Sequence, residues 1–160
     1  LEGFHIPFIH KGLKKDINLE TYKTILLKNG TLQYTESKDK NNQLNIPKEF
    51  TDYGKNIYAY YYWIFPNIML NFYNWGLSIN IIEPINKNRT RIKFLSYPIK
   101  NHTQPINTNA SLDKVEKEDQ NIVLNVQKGI QSKFYNKGRY SPLHELGVHH
   151  FHQLICKYLN

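Results

Sequence analysis

The sequence predicts an α+β domain in which a curved antiparallel sheet wraps around a long C-terminal helix. Residues 22–97 alternate between apolar and polar side chains or are rich in β-branched and aromatic residues, which is typical of strands. From residue 111 onwards, apolar residues recur at helical spacing instead. With 160 residues and 40% hydrophobic content, the chain is long enough for one domain with its own core.

Turn signals divide the first part of the chain into an antiparallel meander. Asn29-Gly30 is a hairpin-type signal, Pro66-Asn67 and Gly76 interrupt the central strands, and residues 84–88 are predicted to form a turn. The polar segment 37–43 is expected to be an exposed loop. The predicted strands are residues 22–28, 31–35, 56–65, 68–75, 77–83 and 90–97.

Two helices are predicted in the remainder of the chain. Ser111 can cap the first helix, and Asp113 lies in its first turn. This helix is expected to run to about Tyr135, before the stop signal at Gly138. The second helix is predicted over residues 145–159. The core-facing stripe of the first helix consists of Val115, Ile122, Val126 and Ile130.

Two histidines, His5 and His10, stand close together near the start of the chain. In a straight helix a five-residue step turns about 140°, so their imidazoles would diverge. Pro7 is expected to break the helix between them and to push Ile6 out of helical geometry, which would let the rings converge on one metal ion. Two ordinary histidines at a buried helix end are an equally open interpretation.

Asp119 lies on the predicted stripe, between Val115 and Ile122. A carboxylate facing a core is costly unless it is paired or bound to a metal, although an early position in a helix also tolerates an acid. Three further acids lie nearby: Asp113, Glu116 and Glu118. Two imidazoles and one carboxylate form the facial triad of non-haem Fe(II) oxygenases, so His5, His10 and Asp119 together indicate a metal site that works with dioxygen.

Charge and hydropathy argue against two classes of partner. The net charge of +8 comes from 21 basic and 13 acidic residues, but the lysines are scattered and only three residues are arginines. Few arginines and no basic cluster predict that the protein has no nucleic-acid partner. No run of 18 apolar residues occurs, so no membrane partner is expected either.

The single cysteine and the C-terminal histidines are interpreted structurally. Cys156 alone allows no internal disulfide and no cysteine-held zinc or iron–sulfur site, favours a reducing cytoplasmic setting, and is expected to fill the core. His149, His150 and His152 point in different directions on a helix, so a structural role is favoured over a metal site.

The middle of the chain is dense in aromatic residues. Alternate members must face opposite sides of the sheet, and the inward set could wall a dry pocket for an apolar or quaternary-ammonium substrate. Ordinary core packing is the more frequent meaning of such runs. The set comprises Tyr58, Tyr60, Tyr61, Tyr62, Trp63, Phe65, Phe72, Tyr73 and Trp75.

Four blocks of the chain resemble the catalytic domain of Rieske-type ring-hydroxylating oxygenase α subunits. They are residues 1–13, 65–80, 118–142 and 145–152, in the order that the family has. The aromatic middle and the Gly138–Pro142 block look most similar to the branch acting on choline-like and betaine-like compounds; phthalate, phenylpropionate and other aromatic substrates remain open.

The resemblance implies a helix-grip (START/SRPBCC-like) fold and a role for each site residue. His5, His10 and Asp119 correspond to the ligands of the mononuclear Fe(II). Glu2 stands where the family keeps an acid that bridges the iron to a Rieske cluster in the neighbouring subunit. One departure is Leu124, which takes a place where the family usually has an acid, five residues after the aspartate.

The same resemblance implies partners beyond this chain. Residues 1–160 would be one catalytic domain, and the cysteine–histidine pairs of a Rieske [2Fe–2S] domain, which this segment lacks, are expected upstream. Electrons would come from NAD(P)H through a reductase or ferredoxin, with O₂ as co-substrate and a homotrimer as the assembly. The alternative is a metal-free helix-grip protein that carries a hydrophobic ligand.

Overall fold

The predicted α+β architecture is confirmed: one antiparallel sheet is accompanied by four helices among the described residues. The computed structural model describes residues 2–100 and 112–159, with only the backbone at 112 and 113. The predicted capping by Ser111 and the Asp113 side chain therefore lie outside the described residues. In this part of the chain, no helix is both long and apolar enough to cross a bilayer.

The six strands follow one another in the sheet in chain order, and each neighbouring pair is antiparallel. This is the meander that the turn signals predict. The strands are β1 (Ile17–Leu27), β2 (Gly30–Ser37), β3 (Ile57–Ile64), β4 (Ile68–Tyr73), β5 (Gly76–Asn86) and β6 (Arg89–Pro98).

The β1 and β5 strands extend furthest beyond their predicted ends, because irregular pairing hides their period there. The β1 strand begins at Ile17, and its register with β2 shifts between Asn18 and Lys23, so side chains do not alternate there. The predicted turn at 84–88 is wrong at its start, because β5 continues to Asn86. Its register shifts between Pro84 and Asn86, and such an irregularity accommodates a proline that cannot donate to the ladder.

The helices are α1 (Ile6–Ile9), α2 (Leu13–Asp16), α3 (Leu112–Ile130) and α4 (Leu146–Leu159). The α3 helix ends about one turn before the predicted Tyr135, where hydrogen bonds from Ser132 N–H to Gly129 O and from Tyr135 N–H to Ser132 O form turns instead. The start of α4 agrees with the prediction to within one residue.

The core lies where the N-terminal segment and α4 cover the sheet. Ile6 and Ile17 cluster with Tyr58 and Ala59 of β3, all of them buried. On α4, Leu154 is buried, while His150 Nε2 lies 2.8 Å from the backbone oxygen of Leu27 in β1. These contacts fix both ends of the described chain on the sheet.

Three side chains that were expected in the core are exposed instead. Val126 and Ile130 of α3 are 57% and 43% exposed, so the predicted core stripe holds only for the first half of that helix. Cys156 is also exposed rather than buried. It follows the buried Leu154 by two residues, which places it about 200° away around α4.

Candidate metal centre

His5 and His10 stand at the two ends of α1. His5 precedes the single helical turn and His10 follows it, with backbone angles of φ −99° and ψ 72° that are no longer helical. The predicted break at Pro7 is wrong, since Ile6 is helical and Pro7 lies in the first turn. Proline is tolerated there because its missing N–H would have no helical partner.

The two imidazoles meet across this turn: the backbone of His5 still has helical angles, with φ −72° and ψ −22°, and only that of His10 departs from them. The Nε2 atoms of His5 and His10 are 3.1 Å apart, and the rings are inclined by 77°. His10 is 2% exposed, whereas about a third of the His5 side chain is exposed. The ring of His10 is therefore buried in the protein, and the ring of His5 lies partly exposed at its surface.

Asp119 of α3 brings the third predicted ligand to the same place. Its Oδ1 atom is 3.0 Å from His10 Nε2 and 3.5 Å from His5 Nε2. The carboxylate is half exposed. Two nitrogen atoms and one oxygen atom thus surround one point, although Asp119 lies more than a hundred positions after the two histidines.

These separations fit a shared metal ion. Ligand atoms of a first-row transition metal lie about 2.1 Å from the ion, so two ligands at a right angle are about 3.0 Å apart, and two at the tetrahedral angle about 3.4 Å. The observed values of 3.0, 3.1 and 3.5 Å span this interval. Three ligands on one side of the ion leave further positions open.

The Nδ1 atom of each histidine, on the other side of the ring from Nε2, contacts a carboxylate. Glu2 Oε1 lies 2.7 Å from His5 Nδ1, and Glu118 Oε2 lies 2.9 Å from His10 Nδ1. A neutral ring that donates its Nδ1 hydrogen to a carboxylate presents the Nε2 lone pair on the other side, towards Asp119. The two outer carboxylates therefore select the tautomer that can bind a metal.

Glu2 is fixed by the backbone that follows it. Its Oε2 atom accepts hydrogen bonds from the N–H groups of Phe4 and His5. These donors and the neighbouring His5 outweigh the opposing effect of burial and lower the pKa of Glu2. Glu2 is thus an ionised partner of His5 within its own chain.

The contact made by Glu118 is the part of the centre that the sequence did not predict. In the sequence, Glu118 is only one of several acids near the start of a predicted helix. Its position directly before Asp119 was the available signal, because consecutive helical residues are about 100° apart and can reach one imidazole from two sides.

Leu124, the departure from the family pattern, is 60% exposed.

The charges of the centre shift the pKa values of its members. Burial disfavours the charged form of His5, but hydrogen bonds to Asp119 and Glu2 outweigh it and raise the pKa to about 9. The pKa of His10 is raised in the same way by Asp119 and Glu118. Against the opposing effect of burial, the two histidines hold the pKa of Asp119 well below its usual range. At neutral pH a metal ion therefore has to displace a proton from the His5 ring.

A cavity of about 210 Å³ opens beside the centre, with His5, His10 and Asp119 in its wall. Four aromatic residues of the middle of the chain, Tyr58, Tyr61, Tyr73 and Trp75, lie in the wall together with Tyr22 of β1. A β-bulge opposite Thr35 and Glu36 re-aims Tyr58 so that it joins the others. Of the aromatic residues singled out from the sequence, these four line the cavity.

The aromatic rings pack on one another around Tyr73. The ring of Trp75 stacks on it at 5.3 Å, and the rings of Tyr61 and Tyr58 meet it edge-on at 5.8 and 6.3 Å. Trp63 instead contacts Phe151 of α4 at 5.1 Å, as a core residue. The aromatic middle of the chain thus provides both the cavity wall and the core.

The C-terminal histidines are engaged in packing. His150 contacts the backbone of β1, and both other histidines lie against Tyr140: the ring of His149 at a centroid distance of 5.1 Å, and His152 through a hydrogen bond to the hydroxyl group. These contacts agree with the structural interpretation of the cluster.

Comparison with known proteins gives matches along the whole chain. The family described as "ring hydroxylating alpha subunit (catalytic domain)" matches residues 1–160. The chloroplastic choline monooxygenase of Arabidopsis thaliana is 31% identical over 157 residues, covering 96% of this chain and 36% of the relative. The carnitine monooxygenase oxygenase subunit of Escherichia coli K12 is 26% identical over 181 residues, covering 98% of this chain and 44% of the relative. The chain therefore spans less than half the length of these curated relatives.

A solved structure shares the fold. A quaternary ammonium Rieske monooxygenase, studied for carnitine oxidation by gut microbiota and for inter-subunit electron transfer, matches with a TM-score of 0.73 at 20% identity. The match covers 98% of this chain and 44% of that chain.

Proposed function

The chain belongs to the family of ring-hydroxylating α-subunit catalytic domains, and from this we propose that it forms the mononuclear iron site of a Rieske-type oxygenase. The reaction is O₂-dependent hydroxylation of a small molecule, either a quaternary-ammonium compound or an aromatic one. The observation that carries the proposal is the meeting of His5 Nε2, His10 Nε2 and Asp119 Oδ1 within 3.0–3.5 Å beside an aromatic cavity.

His5, His10 and Asp119 are the proposed ligands of Fe(II). When bound, the iron supplies the activation of O₂ that hydroxylation needs. Glu2 and Glu118 hold the hydrogens on the two Nδ1 atoms and so keep the Nε2 atoms free for the metal. Burial of His10 fixes its ring in place and limits the access of water to that side.

The cavity wall orients the substrate. Faces of Tyr, Trp and Phe rings attract cations, so the wall formed by Tyr58, Tyr61, Tyr73 and Trp75 suits a quaternary ammonium group. The named relatives act on choline and carnitine, which are quaternary ammonium compounds. Their apolar substituents also match an aromatic surface that excludes water.

The electron supply is proposed from the family. Residues 1–160 act as one catalytic domain of helix-grip (START/SRPBCC-like) type, and a Rieske [2Fe–2S] domain belongs to the further length that the relatives have. Electrons pass from NAD(P)H through a reductase or ferredoxin to that cluster. They enter near Glu2, which bridges to the cluster of a neighbouring subunit in a homotrimer.

The alternative, a metal-free carrier of hydrophobic ligands, does not require the three predicted ligands to meet. Their convergence, and the carboxylate behind each histidine, favour the metal site. Fold alone would not distinguish the two functions.

Iron analysis of Asp119→Ala tests the proposal. The protein is loaded anaerobically with Fe(II), freed of excess metal, and assayed for iron per chain. We expect about one iron in the wild type and little in the variant, because a third of the ligand set is gone. Asp39→Ala, which removes a carboxylate from an exposed turn, is the matched control. Equal iron content in Asp119→Ala and the wild type would defeat the assignment.

A further inference from the structure

We propose that Tyr22 of β1 is a positioning residue of the metal centre, which sets the place of the His5 ligand through its contact with Gly3. The inference rests on the proposed function and deepens it by naming a side chain on the sheet that aligns the first histidine. It assigns to Tyr22 no contact with the metal ion and no part in the chemistry.

The His5 ligand needs support from outside its own segment. It stands at the start of α1, which consists of four residues, and a single helical turn is not stable in isolation. Its N–H group donates a hydrogen bond to Glu2 Oε2, and the N–H group of Ile6 donates one to Gly3 O. These bonds are local, so they shape the segment without attaching it to the sheet. About a third of the His5 side chain is exposed, so burial does not fix its ring as it fixes that of His10.

The sheet supports this segment at Gly3, two residues before His5. A Cβ added to Gly3 would lie 2.3, 2.6 and 2.7 Å from three ring atoms of Tyr22, namely Cζ, Cε2 and Cε1. The buried backbone of Gly3 therefore lies directly on the outer end of the ring, with no room for a side chain between them. Ile6, on the other side of His5, packs into the core cluster. His5 is thus held between two fixed points, and Tyr22 provides the one on the Glu2 side.

The Tyr22 ring is itself fixed by the sheet. Its hydroxyl group donates a hydrogen bond to Gln33 Oε1 at 3.1 Å, and Gln33 is buried in β2. The Gln33 amide nitrogen donates in turn to Thr24 Oγ1 at 3.3 Å, and Thr24 is the partner of Gln33 in the register of β1 with β2. The ring also packs against the core cluster. Displacing the ring would break a buried hydrogen bond and open a void, so it acts as a rigid support.

A small displacement at this point is enough to disturb the centre. The Nε2 atoms of His5 and His10 are 3.1 Å apart, and His5 Nε2 lies 3.5 Å from Asp119 Oδ1. A functional site tolerates deviations of about 0.5 Å from its productive geometry. A methyl group on Gly3 would force a larger shift, because carbon atoms in contact stay about 3.5 Å apart and the added carbon starts at 2.3 Å from the ring.

A double-mutant cycle across the contact tests the proposal. Gly3→Ala inserts the methyl group, and Tyr22→Leu removes the three ring atoms that it would meet. Each single variant should weaken Fe(II) binding about tenfold, which is a typical cost of losing a residue that orients a metal ligand. The double variant should bind Fe(II) more tightly than the sum of the two losses predicts, because the added methyl group occupies space that the ring has left. Additive losses would refute the coupling of the two residues.

Two further variants are the matched controls. Tyr22→Phe keeps the ring beneath Gly3 and loses only the hydroxyl group, so its Fe(II) affinity should stay within about threefold of the wild type. Gly129→Ala adds a methyl group with nothing within 4 Å and should bind Fe(II) as the wild type does. If Tyr22→Phe bound as weakly as Tyr22→Leu, the hydroxyl group rather than the ring would matter, and the proposed contact would be overturned.

The visible spectrum of the Co(II)-loaded protein separates positioning from stability. The absorption of Co(II) depends on the number and geometry of its ligands. We expect a changed spectrum in Gly3→Ala and Tyr22→Leu under conditions in which denaturant titrations show both variants to be fully folded. A Tyr22→Leu protein that is less stable but keeps the wild-type spectrum and affinity would show that the ring only stabilises the fold, and the inference would be wrong.

Crystal structures of the metal-free wild type and of metal-free Tyr22→Leu keep this inference apart from the proposed function. Loss of the ring should move His5 Nε2 by about 0.5 Å or more relative to His10 Nε2. An unchanged arrangement of the two imidazoles would contradict the inference, whether or not the protein binds iron. A wild-type protein that takes up no Fe(II) would instead contradict the proposed function.

Discussion

Replacing Glu118 by glutamine removes one negative charge beside the Nδ1 atom of His10 and changes little else. The Oε2 atom of Glu118 lies 2.9 Å from His10 Nδ1; the glutamate side chain is 28% exposed and that of His10 is 2% exposed. Glutamine has nearly the same size and can still accept the Nδ1 hydrogen through its amide oxygen. The substitution therefore isolates the contribution of the charge to metal binding.

Partners of this kind typically change metal affinity by 10- to 100-fold. Because Glu118 is partly exposed, solvent screens its charge, and the lower end applies. We expect about a tenfold loss of Fe(II) affinity, which corresponds to about 1.4 kcal/mol. The assay is an anaerobic competition titration against a chelator of known strength.

Glu83→Gln is the matched control. The Glu83 side chain is 29% exposed and also contacts cationic groups, but these are Lys93 and Arg91 on the neighbouring strand, β6. Its substitution should leave Fe(II) affinity unchanged. If Glu118→Gln bound iron as tightly as the wild type and Glu83→Gln did, the glutamate would not hold the His10 ring for the metal.

Two further predictions concern pH and the backbone. The pKa of His5 is raised to about 9, so at neutral pH its ring holds a proton that the metal must displace. Fe(II) affinity, measured by competition titration, should therefore rise from pH 6.5 towards pH 9. An affinity that does not change with pH would contradict this prediction. Gly76 has φ +149°, and a Cβ there would lie 2.2 Å from the backbone oxygen of Tyr97. Gly76→Ala should therefore lower the free energy of unfolding by about 1–3 kcal/mol in denaturant titrations. Gly129→Ala, in α3 with nothing within 4 Å of the added carbon, should be neutral or stabilising, and equal losses in both variants would refute the reasoning.

Local signals predicted the elements of the fold well. The Asn29-Gly30 turn and the breaks at Pro66-Asn67 and Gly76 all separate strands in the structure, because turn chemistry depends on few neighbouring residues. The irregular pairing around Asn18 and Pro84 was not predicted, since a bulge is fixed by the partner strand rather than by its own sequence.

In the candidate site, too, the residues were predicted from the sequence, but the contacts that depend on tertiary structure were not. Residue types and spacing singled out His5, His10 and Asp119, but they assigned the convergence of the rings to a break at Pro7. The structure achieves it by placing both histidines at the ends of one short turn. Glu118 could not be identified, because its contact with His10 depends on how α3 lies against the N-terminal segment, a tertiary relation that periodicity does not contain.

The contact between His10 and Glu118 joins residues 108 positions apart in the sequence. An ion held by His10 and by Asp119, the residue after Glu118, would therefore be a cross-link as well as a reaction centre. It would close a ring of covalent and coordinate bonds that contains all six strands. Such a link attaches α3, whose second half is exposed, to the rest of the protein. Loading of the metal and completion of folding would then be one coupled equilibrium, in which each favours the other.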